Sequence, residues 1–297
     1  MAPPPVMTPE GQPNVRAIGL VPRRVGDAYH GLLNASWPRL LGYLVVVYFG
    51  TNALFACAYL LAGHAVTHAH RGSFRDTFFF SVQTMATIGY GGMAPRGFAG
   101  NLLVAVEAMF GLVGFAMVTG LTFAKFSRPT ARVLFSRVAI IAPRDGILSF
   151  MLRMANERGR SAIVEATAHL VFARDEVTVE GESVRRFYDL PLVRQQNGLF
   201  ALSWTTVHQI TEASPVFGET PESLRASSAS FIISVTGLDE TVAQTVHARH
   251  AYNADDVRWG ARFVDILTTR TDGQRLIDYR RFHDVVEPPR SAPPDTP

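Results

Sequence analysis

The feature that most constrains the fold is a pair of long apolar runs separated by a short one. Residues 40–61 carry no charged side chain, and residues 102–124 carry only Glu107. At about 1.5 Å per residue, each run is long enough to cross the roughly 30 Å hydrocarbon core of a membrane. We therefore predict two membrane-spanning helices, an outer helix at 38–62 and an inner helix at 98–127.

The segment between the two runs is apolar over residues 74–86, but it is too short to cross a membrane. Ser73 and Asp76 have a spacing close to that of a capping box, which predicts that a helix begins here. Irregular backbone at membrane depth is tolerated only where it is buried in protein or lines a water-filled path. The pattern therefore predicts a re-entrant pore helix within a membrane pore domain at 37–128.

The stretch Thr87-Ile88-Gly89-Tyr90-Gly91 follows this helix and predicts an ion filter. A narrow pore replaces the water around an ion with rings of backbone carbonyls, and glycine tolerates the backbone angles that such rings need. We expect potassium ions at Thr87, Ile88, Gly89 and Tyr90, with the Tyr90 ring bracing the strand against the pore helix. Because one chain cannot close a ring, a homotetramer is expected. The alternative, a tight turn, is disfavoured by the position between two spans.

The distribution of charge predicts the topology and the partners. The net charge is +3, and the basic residues gather beside the apolar runs rather than in the loop between them. The positive-inside rule then places both termini in the cytoplasm. Anionic membrane lipids are the expected partner. Nucleic acid is not expected, since the sequence has neither a basic helix nor an aromatic stacking platform.

The ends of the chain predict little regular structure. Residues 1–24 and 287–297 are rich in proline and are predicted to be flexible tails. Residues 25–36 fit an amphipathic helix that lies along the inner membrane surface. They also fit the first turns of the outer span, although Pro38 favours a break between the two.

After residue 129 the apolar pattern changes to a period of two, which is typical of half-buried strands. We predict an all-β sandwich at 129–286, with one short helix at 221–225 capped by Thr220. Strands are expected at 138–141, 148–154, 163–173, 200–210, 231–235, 241–251 and 262–267.

The sequence shows no sign of an enzyme. No motif combines a nucleophile, a base and metal ligands, so neither catalysis nor a cofactor is expected, apart from potassium ions in the filter. The single cysteine, Cys57, excludes a disulfide framework and fits a small buried apolar side chain.

Motifs in both halves resemble those of prokaryotic inward-rectifier potassium channels, the KirBac type, from about residue 27 to about residue 287. In the membrane half they are Phe78-Phe79-Phe80-Ser81-Val82-Gln83-Thr84 and Ala124-Lys125-Phe126-Ser127-Arg128-Pro129. In the second half they are Ser214-Pro215, Gly218-Glu219-Thr220-Pro221-Glu222-Ser223-Leu224, Ala248-Arg249-His250-Ala251-Tyr252 and Trp259-Gly260. The resemblance implies a multi-pass channel of the bacterial inner membrane. It also implies a tetrameric, immunoglobulin-like cytoplasmic domain that extends the pore. We further class the chain with voltage-gated channels.

The resemblance assigns roles to the inner helix. Phe115, Thr119 and Phe123 follow one helical row and are expected to line the pore, with Phe123 as the narrowest gate; the alternative is that Phe123 faces lipid. Phe115 stands where strong rectifiers carry an acid, so weak classical rectification is expected. Gly111 and Gly120 are candidate hinges, or small residues at a close helix contact.

Near the filter the chain departs from its relatives. Gly92 follows the filter where relatives often have an acidic or aromatic residue, and Gln83 and Met93 occupy the positions of a Glu–Arg pair found in many animal relatives. Glu107 is the candidate replacement as filter support, or else a protonated or hydrogen-bonded structural residue. The missing pair leaves a weakly selective cation channel open as an alternative. A non-conducting, membrane-tethered sensor is the third possibility.

The resemblance also predicts a lipid site. Trp37, Arg39, Lys125, Arg128 and Arg132 are expected at the inner membrane surface, where the family binds anionic phosphoinositide headgroups. Prokaryotic members are typically inhibited by them. The alternative is that these side chains only anchor the helices.

Overall fold

A computed structural model describes residues 8, 14, 24–128, 130–159, 161–269 and 273–287. The chain divides into two compact units, one spanning Gly19–Arg128 and the other containing the β-rich remainder. We call them the membrane unit and the β domain. The predicted tails at 1–24 and 287–297 lie almost wholly outside the described residues.

The membrane unit contains four helices, whose bounds lie within two residues of the predicted ones. They are α1 (Arg24–Asn34), α2 (Trp37–Leu61), α3 (Phe74–Met85) and α4 (Gly97–Phe126). Helix α1 ends at Asn34 rather than at 36, because Ser36 already caps α2, which has proline in its first turn. Helix α3 begins at its predicted cap, since the Ser73 hydroxyl accepts a hydrogen bond of 3.2 Å from the Asp76 N–H.

Helices α2 and α4 are long and apolar enough to cross a membrane, with mean hydropathies of 1.9 and 2.1. Most of their apolar side chains are exposed in the single chain, and the only buried residues of α4 are Gly100 and Glu107. A helix that is apolar all round needs an apolar environment on every side. Lipid or further protein must therefore cover these helices.

In its described residues, the β domain contains fourteen strands, one short α-helix, α5 (Pro221–Ala226), and two single-turn 3₁₀ helices (Ala254–Asp256 and Tyr279–Arg281). The strands are β1 (Val133–Phe135), β2 (Ala139–Arg144), β3 (Ile147–Asn156), β4 (Ile163–Val177), β5 (Ser183–Leu190), β6 (Gln196–Phe200), β7 (Ser203–Gln209), β8 (Ser230–Asp239), β9 (Thr245–Asn253), β10 (Val257–Trp259), β11 (Arg262–Phe263), β12 (Leu267–Thr269), β13 (Arg275–Ile277) and β14 (Val285–Val286). Thr220 and Ser223 form the capping box that begins α5.

Two five-stranded sheets form the body of the domain. The first has the order β1-β3-β2-β10, with β7 paired to β3, and the second has the order β5-β4-β8-β9, with β6 paired to β4. The pairs within both sheets are antiparallel except β10 with β2, which is parallel. Two small ribbons, β11–β14 and β12–β13, complete the described strands.

The two sheets face each other across an aromatic core, as the predicted sandwich requires. Phe150 of the first sheet stacks on Phe231 of the second at a centroid distance of 4.2 Å. Phe172 lies 4.9 Å from the same ring. Along β8, alternate residues are buried, which is the pattern of a strand with one face on a core. The immunoglobulin-like sandwich fold is therefore confirmed.

Several strand predictions need correction. The strand expected at 241–251 begins only at Thr245, because Ala243 has a positive φ of 50° and the Asp239 carboxylate caps the turn at Thr241. The run at 200–210 is broken between β6 and β7. Five strands were missed, namely β1, β5, β10, β13 and β14, and the run at 262–267 is broken between β11 and β12. Most are short or, like β5, lie at a sheet edge and carry exposed charged side chains.

Candidate ion filter and its surroundings

The five filter residues continue directly from the end of α3. The Thr87 N–H donates to the Thr84 carbonyl at 3.0 Å, and the Ile88 N–H donates to the Gln83 carbonyl at 2.8 Å. Beyond this point the backbone leaves the helix. Positive φ then alternates along the chain, with 57° at Thr87, 55° at Gly89 and 82° at Gly91.

This alternation explains both glycines, because glycine alone adopts positive φ without steric cost. The positive φ of Thr87 was not predicted from the sequence. A β-branched residue in this region costs of order 1–3 kcal/mol, and such strain collects at functional sites. Six other described non-glycine residues also have positive φ, so it is the alternation over Thr87, Gly89 and Gly91 that distinguishes the candidate filter segment.

Tyr90 differs from its predicted position. It is 77 % exposed and makes no ring contact within the described part of the chain. The single chain therefore does not show the contact by which Tyr90 would brace the strand against the pore helix, and that role stays a prediction.

A cavity of about 310 Å³ lies beside the filter, and Gln83, Thr84, Met93 and Val104 are among the residues that line it. The structure thus brings together the two positions, Gln83 and Met93, where many animal relatives carry the supporting ion pair. The Gln83 side chain makes no hydrogen bond to any described residue. No polar contact replaces the pair at this place.

Glu107 lies instead behind the pore helix, fully buried. The Tyr59 hydroxyl of α2 donates to Glu107 Oε2 at 2.5 Å, and Ser81 Oγ of α3 contacts Glu107 Oε1. Ser81 Oγ also lies 3.0 Å from Oδ1 of Asn52. The carboxyl therefore contacts the pore helix, and it does not contact the filter itself.

Asn52, Tyr59 and Ser81 were not singled out from the sequence. The available signal was a polar side chain inside an apolar run, which in a membrane needs a polar partner. It could have marked Asn52 and Tyr59, but not the residue that each of them contacts.

The predicted gate residues lie on exposed parts of α4. Phe115 and Phe123 are exposed in the single chain, and the Thr119 hydroxyl bonds to the Phe115 carbonyl of its own helix at 2.8 Å. Such exposure fits a pore wall and a lipid-facing surface equally. Pore lining stays a prediction.

The two candidate hinges differ from each other. A Cβ atom on Gly111 would stand 2.6 Å from the carbonyl oxygen of Met85 at the end of α3, whereas one on Gly120 would meet nothing within 4 Å. Gly111 is therefore a close helix contact, because only glycine lets the two backbones approach this far. A hinge at Gly111 or at Gly120 stays a prediction.

Two of the predicted lipid-binding residues form hydrogen bonds within the protein itself. Lys125 Nζ donates to the carbonyls of Leu33 and Ala35 at 2.9 and 2.5 Å, and it lies 5.4 Å from the Trp37 ring centroid. Arg128 Nη1 donates to Asn34 Oδ1 at 2.9 Å. The last carbonyls of a helix have no partner within the helix, so Lys125 completes the end of α1 at Leu33, whereas Arg128 binds the side chain of its last residue.

Part of the hydrogen-bonding capacity of Lys125 and Arg128 is thus used within the membrane unit, and their role as headgroup ligands stays a prediction. Arg39 in the membrane unit and Arg132 in the β domain are exposed.

Two helices long and apolar enough to span a membrane, with a shorter helix between them that leads into the candidate filter, define the class: a subunit of a pore-loop ion channel. Comparison with known proteins identifies the family within this class. A family model described as the inward rectifier potassium channel C-terminal domain matches residues 133–293, and a model described as ion channel matches residues 43–128.

Individual relatives agree with these models. The inward rectifier potassium channel Kirbac3.1 of Paramagnetospirillum magnetotacticum is 46 % identical over 96 % of this chain and 96 % of its own length. The human ATP-sensitive inward rectifier potassium channel 11 is 31 % identical over 93 % of this chain and 75 % of its own length. Human inward rectifier potassium channel 18 is 33 % identical over 73 % of this chain and 52 % of its own length. The chain belongs to the inward rectifier potassium channel family.

The family membership confirms a membrane protein whose relatives are ion channels and not enzymes. It also corrects one expectation. The assignment to the voltage-gated channels is wrong, since the relatives are inward rectifiers. Moreover, neither spanning helix of the described chain carries the row of arginines that senses voltage.

Proposed function

We propose that four copies of the chain form a potassium-selective channel through which potassium moves passively down its gradient. The observation that carries the proposal is the alternating positive φ along Thr87-Ile88-Gly89-Tyr90-Gly91, placed at the end of a helix that does not cross the membrane. Carbonyls of Thr87, Ile88, Gly89 and Tyr90 from four chains would then hold dehydrated potassium ions. Exposed Tyr90 would find its missing contact on a neighbouring copy.

The remaining roles follow from the same assembly. Phe115, Thr119 and Phe123 would line the inner pore, with a gate at Phe123 and a bend at Gly120. The β domain would extend the pore into the cytoplasm, with both termini on that side of the bacterial inner membrane. The excess of basic residues at both flanks of the two spans supports this topology.

Rubidium uptake into liposomes that contain the purified protein tests the proposal. Gly89→Ala forces alanine into a left-handed conformation in four copies of the ring, at about 1–2 kcal/mol per residue, so uptake should fall to the level of empty liposomes. Gly92→Ala is the matched control. Gly92 has no positive φ, and a Cβ there meets nothing within 4 Å, so uptake should persist. Uptake that survives Gly89→Ala would contradict the proposed filter.

A weakly selective cation channel is the second candidate, and the unsupported position of Gln83 and Met93 favours it. Excess sodium outside the liposomes separates the two candidates. A potassium-selective filter keeps accumulating rubidium, whereas a weakly selective one loses its rubidium signal to sodium. No uptake by the wild-type protein under any condition would point to the sensor.

Inhibition by anionic phosphoinositides is the proposed regulation. Exposed Arg39 and Arg132 would contact the headgroups, and Lys125 would do so with the one N–H that the carbonyls of Leu33 and Ala35 leave free. Adding such lipids to the liposomes should lower rubidium uptake, and Arg39→Gln should weaken that effect. Equal uptake with and without these lipids would remove the regulatory role.

A further inference from the structure

The buried polar contacts around Glu107 join all three core helices of the membrane unit. Tyr59 and Asn52 belong to α2, Ser81 belongs to α3 and Glu107 belongs to α4. Their side chains form one continuous series of contacts, Tyr59–Glu107–Ser81–Asn52. What these contacts imply for the filter rests on the proposed function. What they imply for the proton of Glu107 does not.

Counting hydrogen atoms along this series fixes the direction of each bond. Asn52 Nδ2 donates to the Tyr48 carbonyl at 2.8 Å and lies 3.5 Å from Met85 Sδ, so Asn52 Oδ1 is left as an acceptor. That oxygen needs the hydrogen of the Ser81 hydroxyl, 3.0 Å away. A serine hydroxyl has only one hydrogen, so none remains for Glu107 Oε1.

The contact between Ser81 and Glu107 must therefore take its hydrogen from Glu107. Tyr59 already donates to the other carboxyl oxygen at 2.5 Å, so every group is satisfied if Glu107 Oε1 is protonated. With an ionised carboxyl, two acceptors would compete for one hydrogen, and one buried polar atom would lack a partner. No Lys, Arg or His within the described chain contacts the carboxyl to neutralise a charge.

We propose that Glu107 is a neutral acid that donates to Ser81 and thereby holds the pore helix in place. The donors run in one direction: from Tyr59 to Glu107, to Ser81, to Asn52 and finally to the Tyr48 carbonyl. A neutral network with every hydrogen bond made is the arrangement that a membrane interior tolerates best.

The same helices, α2 and α4, also contact the end of α3 next to the filter. Asn52 Nδ2 contacts Met85, the last residue of α3, and Gly111 of α4 packs against the Met85 carbonyl. Helix α3 is thus held at Ser81 and at Met85, and the second contact lies just before Thr87. Glu107 and its partners therefore act as positioning residues for the filter, where the ion pair of other relatives is absent.

Two substitutions of Glu107 test the proton and the positioning role together. In Glu107→Gln, the amide N–H can donate to Ser81 while its oxygen accepts from Tyr59, so the chain of donors is preserved. The ratio of potassium to sodium permeability, from reversal potentials in planar bilayers, should stay within about twofold of wild type. Glu107→Leu leaves the Tyr59 hydroxyl without an acceptor and removes the donor to Ser81, which keeps its bond to Asn52. The ratio should then fall about tenfold, the factor for one orphaned buried group.

Ser81→Ala removes the central link and should lower the permeability ratio in the same direction. Thr51→Ala is its matched control, because Thr51 is next to Asn52 but its hydroxyl bonds only to the Val47 carbonyl of its own helix. The control should keep the wild-type ratio. Comparing tetramer yields in detergent separates a change in the filter from a loss of assembly.

Infrared spectroscopy detects the proton on the Glu107 carboxyl directly, even if a variant fails to assemble. Wild-type protein at neutral pH should show the carbonyl stretch of a protonated carboxyl, shifted by ¹³C-glutamate and absent in Glu107→Gln. A missing band, or Glu107→Gln as damaged as Glu107→Leu, would overturn the neutral acid. An unchanged permeability ratio in Glu107→Leu would overturn the positioning role. If wild type itself passes no ions, the proposed channel fails, and the infrared band still decides the proton.

Discussion

The two units of the chain differ in the kinds of side chain that they bury. In the β domain, Phe150, Phe172 and Phe231 are fully buried against one another. In the membrane unit, helix α4 exposes nearly all of its apolar side chains and buries Gly100 and Glu107. The β domain thus builds a large apolar core of its own. The membrane unit buries a smaller apolar cluster around Tyr59, Ala65 and Phe80, adds buried polar residues such as Asn52 and Glu107, and depends on its surroundings outside.

This difference reflects the solvent of each unit. In water, burying apolar surface is the main force that assembles a core. Between helices in lipid that force is absent, and close packing of small residues and hydrogen bonds take its place. Gly111 against Met85 and the Glu107 network are those contacts here. If this difference holds, apolar packing stabilises the β domain, whereas close packing and hydrogen bonds stabilise the membrane unit.

The largest effect is expected in the aromatic core of the β domain. Phe231→Ala removes a ring that stacks on two others, and it should lower the free energy of unfolding by about 3–5 kcal/mol. Urea unfolding of the purified protein in detergent, followed by the circular dichroism of the sheets, measures it. Val179→Ala, on a fully exposed residue, should change stability by less than about 0.5 kcal/mol. A loss below about 1 kcal/mol for Phe231→Ala would argue against the shared core.

The next effect is expected at the close contact in the membrane unit. Gly111→Ala places a Cβ atom 2.6 Å from the Met85 carbonyl, so the helices must separate, at about 1–3 kcal/mol. Thermal dissociation of the tetramer should shift to lower temperature, and rubidium uptake should fall. Gly120→Ala meets nothing within 4 Å and should leave assembly intact. If the tetramer dissociates at the same temperature in both variants, the close contact at Gly111 would be contradicted.

A smaller, pH-dependent effect is expected from a buried histidine of the β domain. His208 Nδ1 lies 2.8 Å from the Pro191 carbonyl, Nε2 lies 2.8 Å from Ser214 Oγ, and burial lowers the pKa of the imidazole. The folded state therefore prefers neutral His208. Its stabilising contribution is complete above the unfolded pKa of about 6.5 and is lost as pH falls below it towards the lower folded pKa.

Urea unfolding at a series of pH values checks this effect. Between the unfolded pKa and the lowered folded pKa, His208→Gln should reduce the loss of stability with falling pH, by up to about 1.4 kcal/mol per pH unit. His247→Gln, on the exposed side of the second sheet, serves as the control and should keep the wild-type slope. An unchanged slope in His208→Gln would mean that another group causes the acid sensitivity.

The smallest effect is expected for polyamines on the inner side of the channel. Phe115 carries no charge, so it gives a cationic blocker no electrostatic hold. Spermine should change outward current by less than about twofold, because each tenfold effect needs about 1.4 kcal/mol of interaction. Phe115→Asp should make the block strong and voltage-dependent. Strong rectification in the unmodified protein would contradict the assignment of Phe115 to the pore wall.

Local patterns allowed much of the fold to be predicted. The membrane helices follow from apolar runs and caps such as Ser73, and the sandwich follows from period-two strands with turn residues between them. The missed strands carry no such pattern. β5 has an exposed arginine, Arg186, and an exposed phenylalanine, Phe187, and it is a strand only because β4 offers it a pairing edge.

The surroundings of the filter could be predicted only in part. The positive φ of Gly89 and Gly91 can be predicted from the sequence, because glycine adopts positive φ more readily than any other residue. Thr87, with the same sign of φ, gives no such signal. Glu107 is conspicuous as an acid in an apolar helix, but its partners lie on two other helices, far away in sequence. Tertiary packing alone decides which of these polar residues meet.

The central claim is that the filter segment selects potassium when four membrane units assemble. The most direct test is the reversal potential of purified channels in a planar bilayer, with potassium on one side and sodium on the other. We predict that the current reverses near the potassium equilibrium potential and that Gly89→Ala abolishes it while Gly92→Ala does not. A wild-type current that reverses near zero would contradict this account.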